Sequence, residues 1–138
     1  MTVELADETD LRTILEWLHS EYDSEAGEGF WGNRRDIQNY FDWELLWVVR
    51  EGNKAVAFLA GNEDTISYLV TKCDKRHRGY GEELLKAHEA RARANGVKEL
   101  RGECSRKGPI DFWLKFGFES PPLDQQPAAY IPIKKVLT

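Results

Sequence analysis

Apolar and polar residues alternate over 2–6, the two-residue period of a short strand. From Leu11 the period lengthens. Leu11, Ile14, Leu15, Leu18 and Tyr22 recur at one-face helical spacing, and Asp7, Thr9 and Asp10 supply N-cap residues before them. Residues 23–33 are rich in glycine and acid and predict a loop; 34–42 predict a second, short helix. Two near-continuous apolar runs follow, 44–50 and 54–60, with Gly52-Asn53 between them. A Gly-Asn pair between such runs predicts a tight hairpin, and the unbroken apolarity predicts strands covered on both faces. Gly61-Asn62 repeats the turn signal and leads into a third strand, 65–72.

Beyond this meander the period changes again. A helix over about 80–95 carries Leu84, Leu85, Ala87 and Ala94 and stops at Asn95-Gly96. A strand at 98–104, a short helix at 109–116 opening on Pro109, and a loop at 120–127 come next. The final strand, 128–136, contains Pro132, which places it at a sheet edge or on a bulge. This order predicts an α/β chain (α+β in some schemes) with a single mixed β-sheet flanked by helices. An antiparallel meander over 44–72 is followed by a parallel strand–helix–strand crossover over 65–104.

At 138 residues without an internal repeat, the chain is expected to form one domain over 1–138. Its longest apolar stretch, 55–60, is far below the ~20 residues that cross a bilayer, and no apolar segment follows the acidic start at Glu4, Asp7, Glu8 and Asp10. No membrane partner and no secretory leader are expected. Nineteen basic against 24 acidic residues give a net charge of −5, which argues against nucleic acid as partner and favours cationic ones. Two cysteines without a Cys-x-x-Cys pair fit reduced thiols and a cytoplasmic protein, and three scattered histidines predict no metal site.

The chemistry concentrates in Lys75-Arg76-His77-Arg78-Gly79-Tyr80-Gly81, between an apolar strand and a helix. Gly79 and Gly81 let the backbone turn sharply and approach a ligand closely. The helix start offers unpaired N–H groups and the positive end of its dipole, and the cations add to it. The combination suits a pyrophosphate; a solvated basic turn is the competing reading. A dinucleotide fingerprint would need glycine where Leu84 stands, and no Gly-x-x-x-x-Gly-Lys-Ser/Thr loop exists.

Arg76-x-x-Gly79-x-Gly81, after a strand and before a helix, resembles the acyl-CoA signature of the GNAT superfamily of CoA-dependent N-acyltransferases. Phe112-Trp113-Leu114-Lys115-Phe116-Gly117-Phe118 resembles that family's Tyr-x-x-x-Gly-Phe ending, and the element order agrees over most of the chain. The resemblance implies acetyl-CoA as co-substrate, with no metal, and direct transfer of the acetyl group to an amine. Leu69, Val70 and Thr71 would lend backbone groups to the pantetheine arm and an oxyanion-type donor to the thioester carbonyl. Arg76, His77, Arg78, Gly79, Tyr80, Gly81 and Glu82 would hold the pyrophosphate. Two positions depart from the family pattern: Trp113 stands where a tyrosine often protonates the leaving thiolate, and Arg106 where an asparagine is common. The alternative is therefore a non-catalytic CoA-binding or protein-interaction module on the same fold. Homodimers are common in the family and are possible here.

Transfer to an amine needs a proton acceptor, because a lysine-like amine has a pKa of about 10.4. Glu103, at the end of the strand beside the signature strand, and Asp64 and Glu63, just before that strand, are the carboxylate candidates; each also reads as a surface group. Tyr68, Tyr80, Tyr130, Ser105 and Cys104 are candidate donors to the thiolate, with Tyr130 on the last strand. Cys73 and Cys104 read equally as small apolar residues, and His88 as a packed helix residue. In the segment 21–31, Glu21, Asp23, Glu25 and Glu28 precede Phe30 and Trp31. Carboxylates beside aromatic rings suit a cationic amine acceptor, and also suit an acidic loop anchored by its aromatics.

Overall fold

The structure is a computed structural model, and it describes residues 2–26, 29–105, 109–122 and 130–137. The strands are β1 (Val3–Leu5), β2 (Leu46–Glu51), β3 (Lys54–Ala60), β4 (Thr65–Ile66), β5 (Tyr68–Thr71), β6 (Glu99–Ser105) and β7 (Tyr130–Val136). The helices are α1 (Glu8–Asp23), α2 (Arg34–Asp42), α3 (Tyr80–Ala94) and α4 (Ile110–Lys115), with 3-10 turns at Phe30–Asn33 and Cys73–Lys75. The chain forms two compact units: residues 1–61 with 68–88, and residues 62–67 with 89–138.

In the first unit, β1, β2, β3 and β5 make an antiparallel sheet in the order β1-β2-β3-β5. The hairpin between β2 and β3 turns on Gly52 and Asn53, with φ of 59° and 69°. Two consecutive left-handed residues match the right-handed twist of the strands, the reason a Gly-Asn pair closes a hairpin well. From Ala55 onward every residue of β3 is buried, as its unbroken apolar run predicts. Leu11, Ile14, Trp17 and Leu18 of α1 and Ile37 of α2 cover this sheet over Val48 and Phe58, and the Trp17 indole N–H donates to the Ala55 carbonyl at 3.0 Å.

The start of α1 is fixed by a reciprocal capping box. The Asp10 N–H donates to the Asp7 carboxylate and the Asp7 N–H to the Asp10 carboxylate, both at 2.9 Å. Asp10 is only 2% exposed and also receives Arg50 of β2, at 2.8 Å from Nε and 2.6 Å from Nη2. Burial works to raise the Asp10 pKa, but the Arg50 guanidinium and the Asp7 N–H outweigh it and hold the carboxyl below its ordinary range.

In the second unit, β4, β6 and β7 form a sheet in that order, β4 parallel to β6 and β7 antiparallel to it. β7 lies at the end of this sheet, and Pro132 sits within it opposite Glu103, in the edge position that proline requires. Trp113 of α4 is buried against Phe118 with ring centroids 5.1 Å apart, and its carbonyl accepts the Phe118 N–H at 3.0 Å.

The mixed α/β class stands; the single sheet does not. The strand expected over 65–72 breaks at Ser67. Thr65 and Ile66 pair with Arg101 and Gly102, whereas residues 68–71 pair with β3. A strand whose halves ladder onto different partners divides the hydrogen bonding into two sheets. The loop expected over 23–33 is also shorter, because α1 runs to Asp23 and a 3-10 turn begins at Phe30.

Candidate active site

The signature segment leaves β5, crosses the 3-10 turn at Cys73–Lys75 and enters α3 at Tyr80. β5 is the terminal strand of its sheet, so the backbone groups facing away from β3 take no part in that ladder. Val70 points into the first unit's core, while Leu69 and Thr71 alternate to the other face and are half-buried.

Two residues of the turn adopt left-handed backbone: His77 at φ 65° and Gly79 at φ 84°. An added Cβ at Gly79 would meet no atom within 4 Å, so open space lies over the turn. The first N–H groups of α3, from Tyr80, Gly81 and Glu82, have no partner within the helix, and its positive dipole end points the same way. Helix start, left-handed turn and open approach together form an arrangement chemically suited to an anion such as a phosphate.

Carboxylates from other elements hold this segment at both ends. Glu21, in the last turn of α1, is 6% exposed and accepts the Cys73 N–H at 2.6 Å. Burial first, and the adjacent Glu21 second, push the Cys73 thiol pKa up, which keeps it protonated. Glu51, the last residue of β2, accepts Lys75 Nζ at 2.9 Å, Arg78 Nη1 at 3.0 Å and the Tyr80 hydroxyl. The Tyr80 hydrogen bond, then the Lys75 one, lowers the Glu51 pKa to about 2 despite some desolvation. The basic run is thus partly neutralised within the fold. Arg76 is half-buried, His77 is exposed, and Glu82 pairs with Lys86 at 3.3 Å.

A second cluster surrounds Tyr68, the first residue of β5. Its hydroxyl donates to Asp36 Oδ2 at 2.7 Å and accepts from Asn33 Nδ2 at 3.2 Å, while Phe30 and Tyr40 meet its ring edge-on at 5.8 and 6.3 Å. Burial first, and Asp36 second, push the phenol up to about 12. A phenol in that state donates hydrogen bonds but yields its proton reluctantly.

The candidates for proton transfer separate. Glu103 of β6 is exposed, and Tyr130 lies opposite Ser105 across the β6–β7 ladder. Pro132, opposite Glu103, and Tyr130 share a face by alternation, so Glu103 and Tyr130 are diagonal neighbours on one side of that sheet. Asp64 stands at the other end: its carbonyl accepts the Arg101 N–H at 2.9 Å and its carboxylate the Thr65 hydroxyl at 2.9 Å. Glu63 is exposed beside it, and Cys104 is buried. His88 is buried within α3. The four-carboxylate loop is redistributed: Glu21 turns inward as above, Asp23 pairs with His19 at 3.5 Å, Glu25 is exposed, and Glu28 lies outside the described residues, as does Arg106. Phe30 and Trp31 pack against the first unit's core, with His19 stacked on Trp31 at 4.5 Å. Sequence reasoning missed Glu51, Asn33 and Asp36; the only local mark on Glu51 is a carboxylate just before a Gly-Asn turn.

A sequence profile described as an acetyltransferase (GNAT) domain matches residues 42–120. No curated protein sequence matches the chain. Solved structures do. PaiA N-acetyltransferase from Thermoplasma acidophilum, in complex with coenzyme A, is 17% identical with a TM-score of 0.76, over 99% of this chain and 100% of that one. YncA from Salmonella typhimurium, solved with its cofactor acetyl-CoA, is 13% identical with a TM-score of 0.76, over 99% and 94%. A GNAT-family acetyltransferase from Bacillus cereus is 19% identical with a TM-score of 0.73, over 99% and 96%.

Proposed function

The chain belongs to the GNAT acetyltransferase family, and from that premise we propose that it transfers the acetyl group of acetyl-CoA to a primary amine in a ternary complex. The observation that carries this reading is the left-handed turn at His77 and Gly79, which opens onto the start of α3 and is reached through one 3-10 turn from a strand with one unladdered edge. Its open approach fits a pyrophosphate, and the backbone N–H groups of residues 77–82 would hold it, with Arg76 and Arg78 nearby. The outer edge of β5, at Leu69, Val70 and Thr71, would pair with the amides of the pantetheine arm as another strand would.

Acetyl-CoA supplies an acyl group on a good leaving thiolate. A β5 N–H aimed away from β3 would hydrogen-bond the carbonyl oxygen as negative charge develops on it. The amine nitrogen bonds to the carbonyl carbon, the carbon–sulfur bond breaks, one amine proton passes to a base and the thiolate takes up a proton. Glu103 would accept the amine proton, directly or through water, and Tyr130 on the same face would return one to sulfur. Asp64 is the second carboxylate candidate in this scheme; it stands at the far end of the strand pair, where it accepts the Thr65 hydroxyl. Net charge −5 and the exposed Asp23 and Glu25 favour a cationic acceptor by long-range attraction. Pairing of Lys75 and Arg78 with Glu51 leaves little of the basic run for nucleic acid.

Thermal unfolding with and without acetyl-CoA, followed by thiol release across an amine panel, tests the proposal. A native-state ligand at 100 times its Kd stabilises by about 2.7 kcal/mol, several degrees in Tm for a domain this size. No shift at millimolar acetyl-CoA would refute the reading. A shift without thiol release from any amine would favour the non-catalytic alternative.

A further inference from the structure

Resting on the acetyl-CoA reading above, we propose that Glu51 is a positioning residue for the phosphate-binding turn. Its carboxylate at the β2–β3 hairpin grips the turn on both sides of its left-handed residues and keeps it in binding shape. Lys75 lies before His77 and Gly79 in sequence; Tyr80 follows them and Arg78 separates them. All three reach the same carboxylate, Lys75 at 2.9 Å, Arg78 at 3.0 Å and Tyr80 through its hydroxyl. The turn needs such an anchor. His77 occupies a conformation that L residues adopt only at a cost, and a 3-10 turn of three residues is the one regular element between β5 and α3.

The anchor itself is rigid. Glu51 ends a strand, pairs in register with Lys54, and immediately precedes the Gly52-Asn53 turn. Its depressed pKa keeps the carboxylate ionised throughout the neutral range, so the grip does not switch off there. Glu51 would never touch the acyl group. Its effect belongs in acetyl-CoA affinity and not in the chemical step.

Two physical effects of removing its charge oppose each other, which makes the direction of change diagnostic. A carboxylate near a polyanionic ligand repels it, so electrostatics alone predicts tighter binding once the charge is gone. Loss of the anchor predicts weaker binding. The experiment measures acetyl-CoA Kd by titration calorimetry, and kcat and KM by thiol release, for wild type, Glu51→Gln, Tyr80→Phe and the double variant. All are assayed well below their own Tm. Tyr80→Phe removes only the hydroxyl and keeps the backbone N–H.

The expected result is about tenfold weaker binding in Glu51→Gln, equivalent to about 1.4 kcal/mol, with kcat retained. Tyr80→Phe should show a smaller loss, and the double variant should be no worse than Glu51→Gln, because both changes cut one contact set. Unchanged or tighter binding by Glu51→Gln beside a wild type that binds overturns the inference alone. So does a drop in kcat at unchanged Kd, or full additivity of the two losses. A wild type that fails to bind acetyl-CoA overturns the proposed function and this inference with it. If Glu51→Gln proves unstable, Tyr80→Phe by itself decides: undiminished affinity there overturns the grip.

Discussion

Replacing Gly79 with alanine separates backbone strain from ligand access, because the fold contains a matched control. Gly79 and Gly96 have φ of 84° and 77°, and an added Cβ meets nothing within 4 Å at either site. Gly79 opens α3 and Gly96 follows its end. Forcing an L side chain into the left-handed region costs roughly 1–2 kcal/mol, so both variants should unfold earlier by a similar amount, about 3–8 °C for a domain of this size. Their acetyl-CoA affinities should differ widely. At Gly79 the methyl group enters the open approach that a phosphate would use. Two backbone hydrogen bonds to a charged ligand, at about 1.5–3 kcal/mol each, would then be lost, a weakening on the order of 10² to 10⁴-fold. Urea unfolding gives the strain term, and calorimetric titration with acetyl-CoA gives the affinity term. Equal affinity of G79A and G96A, at equal loss of stability, would mean that the turn does not hold the phosphates.

Other outcomes follow from the same contacts. Glu103→Gln should lower kcat at least tenfold with little change in acetyl-CoA KM, and Tyr130→Phe should act in the same direction; wild-type turnover in Glu103→Gln would remove that residue from the mechanism. Arg50→Met strands the buried Asp10 carboxylate and should cost about 2–3 kcal/mol in urea unfolding, below the ~3–5 of a fully buried pair because Arg50 is 24% exposed. The Asp10 pKa is depressed in the folded state, so its stabilisation is fully present above the ordinary carboxylate value of 3.8 and fades as pH falls through the lower folded value. Arg50→Met should flatten that acid limb, and an unaltered limb would contradict the pairing. Ultraviolet titration should show a tyrosine component near pH 12 that Tyr68→Phe loses, beside the Tyr80 phenol, which its hydrogen bond to Glu51 also raises; Tyr68→Phe should lose about 1–2 kcal/mol with its bond to Asp36.

Much of the architecture is legible in the chain because it is encoded locally. The Gly52-Asn53 hairpin, the stop at Gly96, the edge placement of β7 around Pro132 and the burial of β3 each follow from residues within a few positions of one another. The left-handed turn before α3 is legible for the same reason: its glycines and cations are contiguous and lie against a helix start. The break at Ser67 is different. Residues 65–72 carry one strand-like pattern, and only the choice of ladder partners, β6 for one half and β3 for the other, divides it. Alternation along each strand does not reveal which candidate carboxylate shares a face with Tyr130. The β6–β7 register puts Glu103 there and leaves Asp64 at the opposite end.

The carboxylates that brace the turn were the least visible. Glu51 meets Tyr80 across 29 positions and Glu21 meets Cys73 across 52, separations at which no periodicity in the chain speaks. What the sequence determined by itself was the order of the helices and most strands and the make-up of one contiguous turn, because periodicity and turn preferences act over a few residues. Only the tertiary structure decided which strands pair and which distant charges hold that turn, because those energies exist once the backbone has brought the groups within hydrogen-bonding distance.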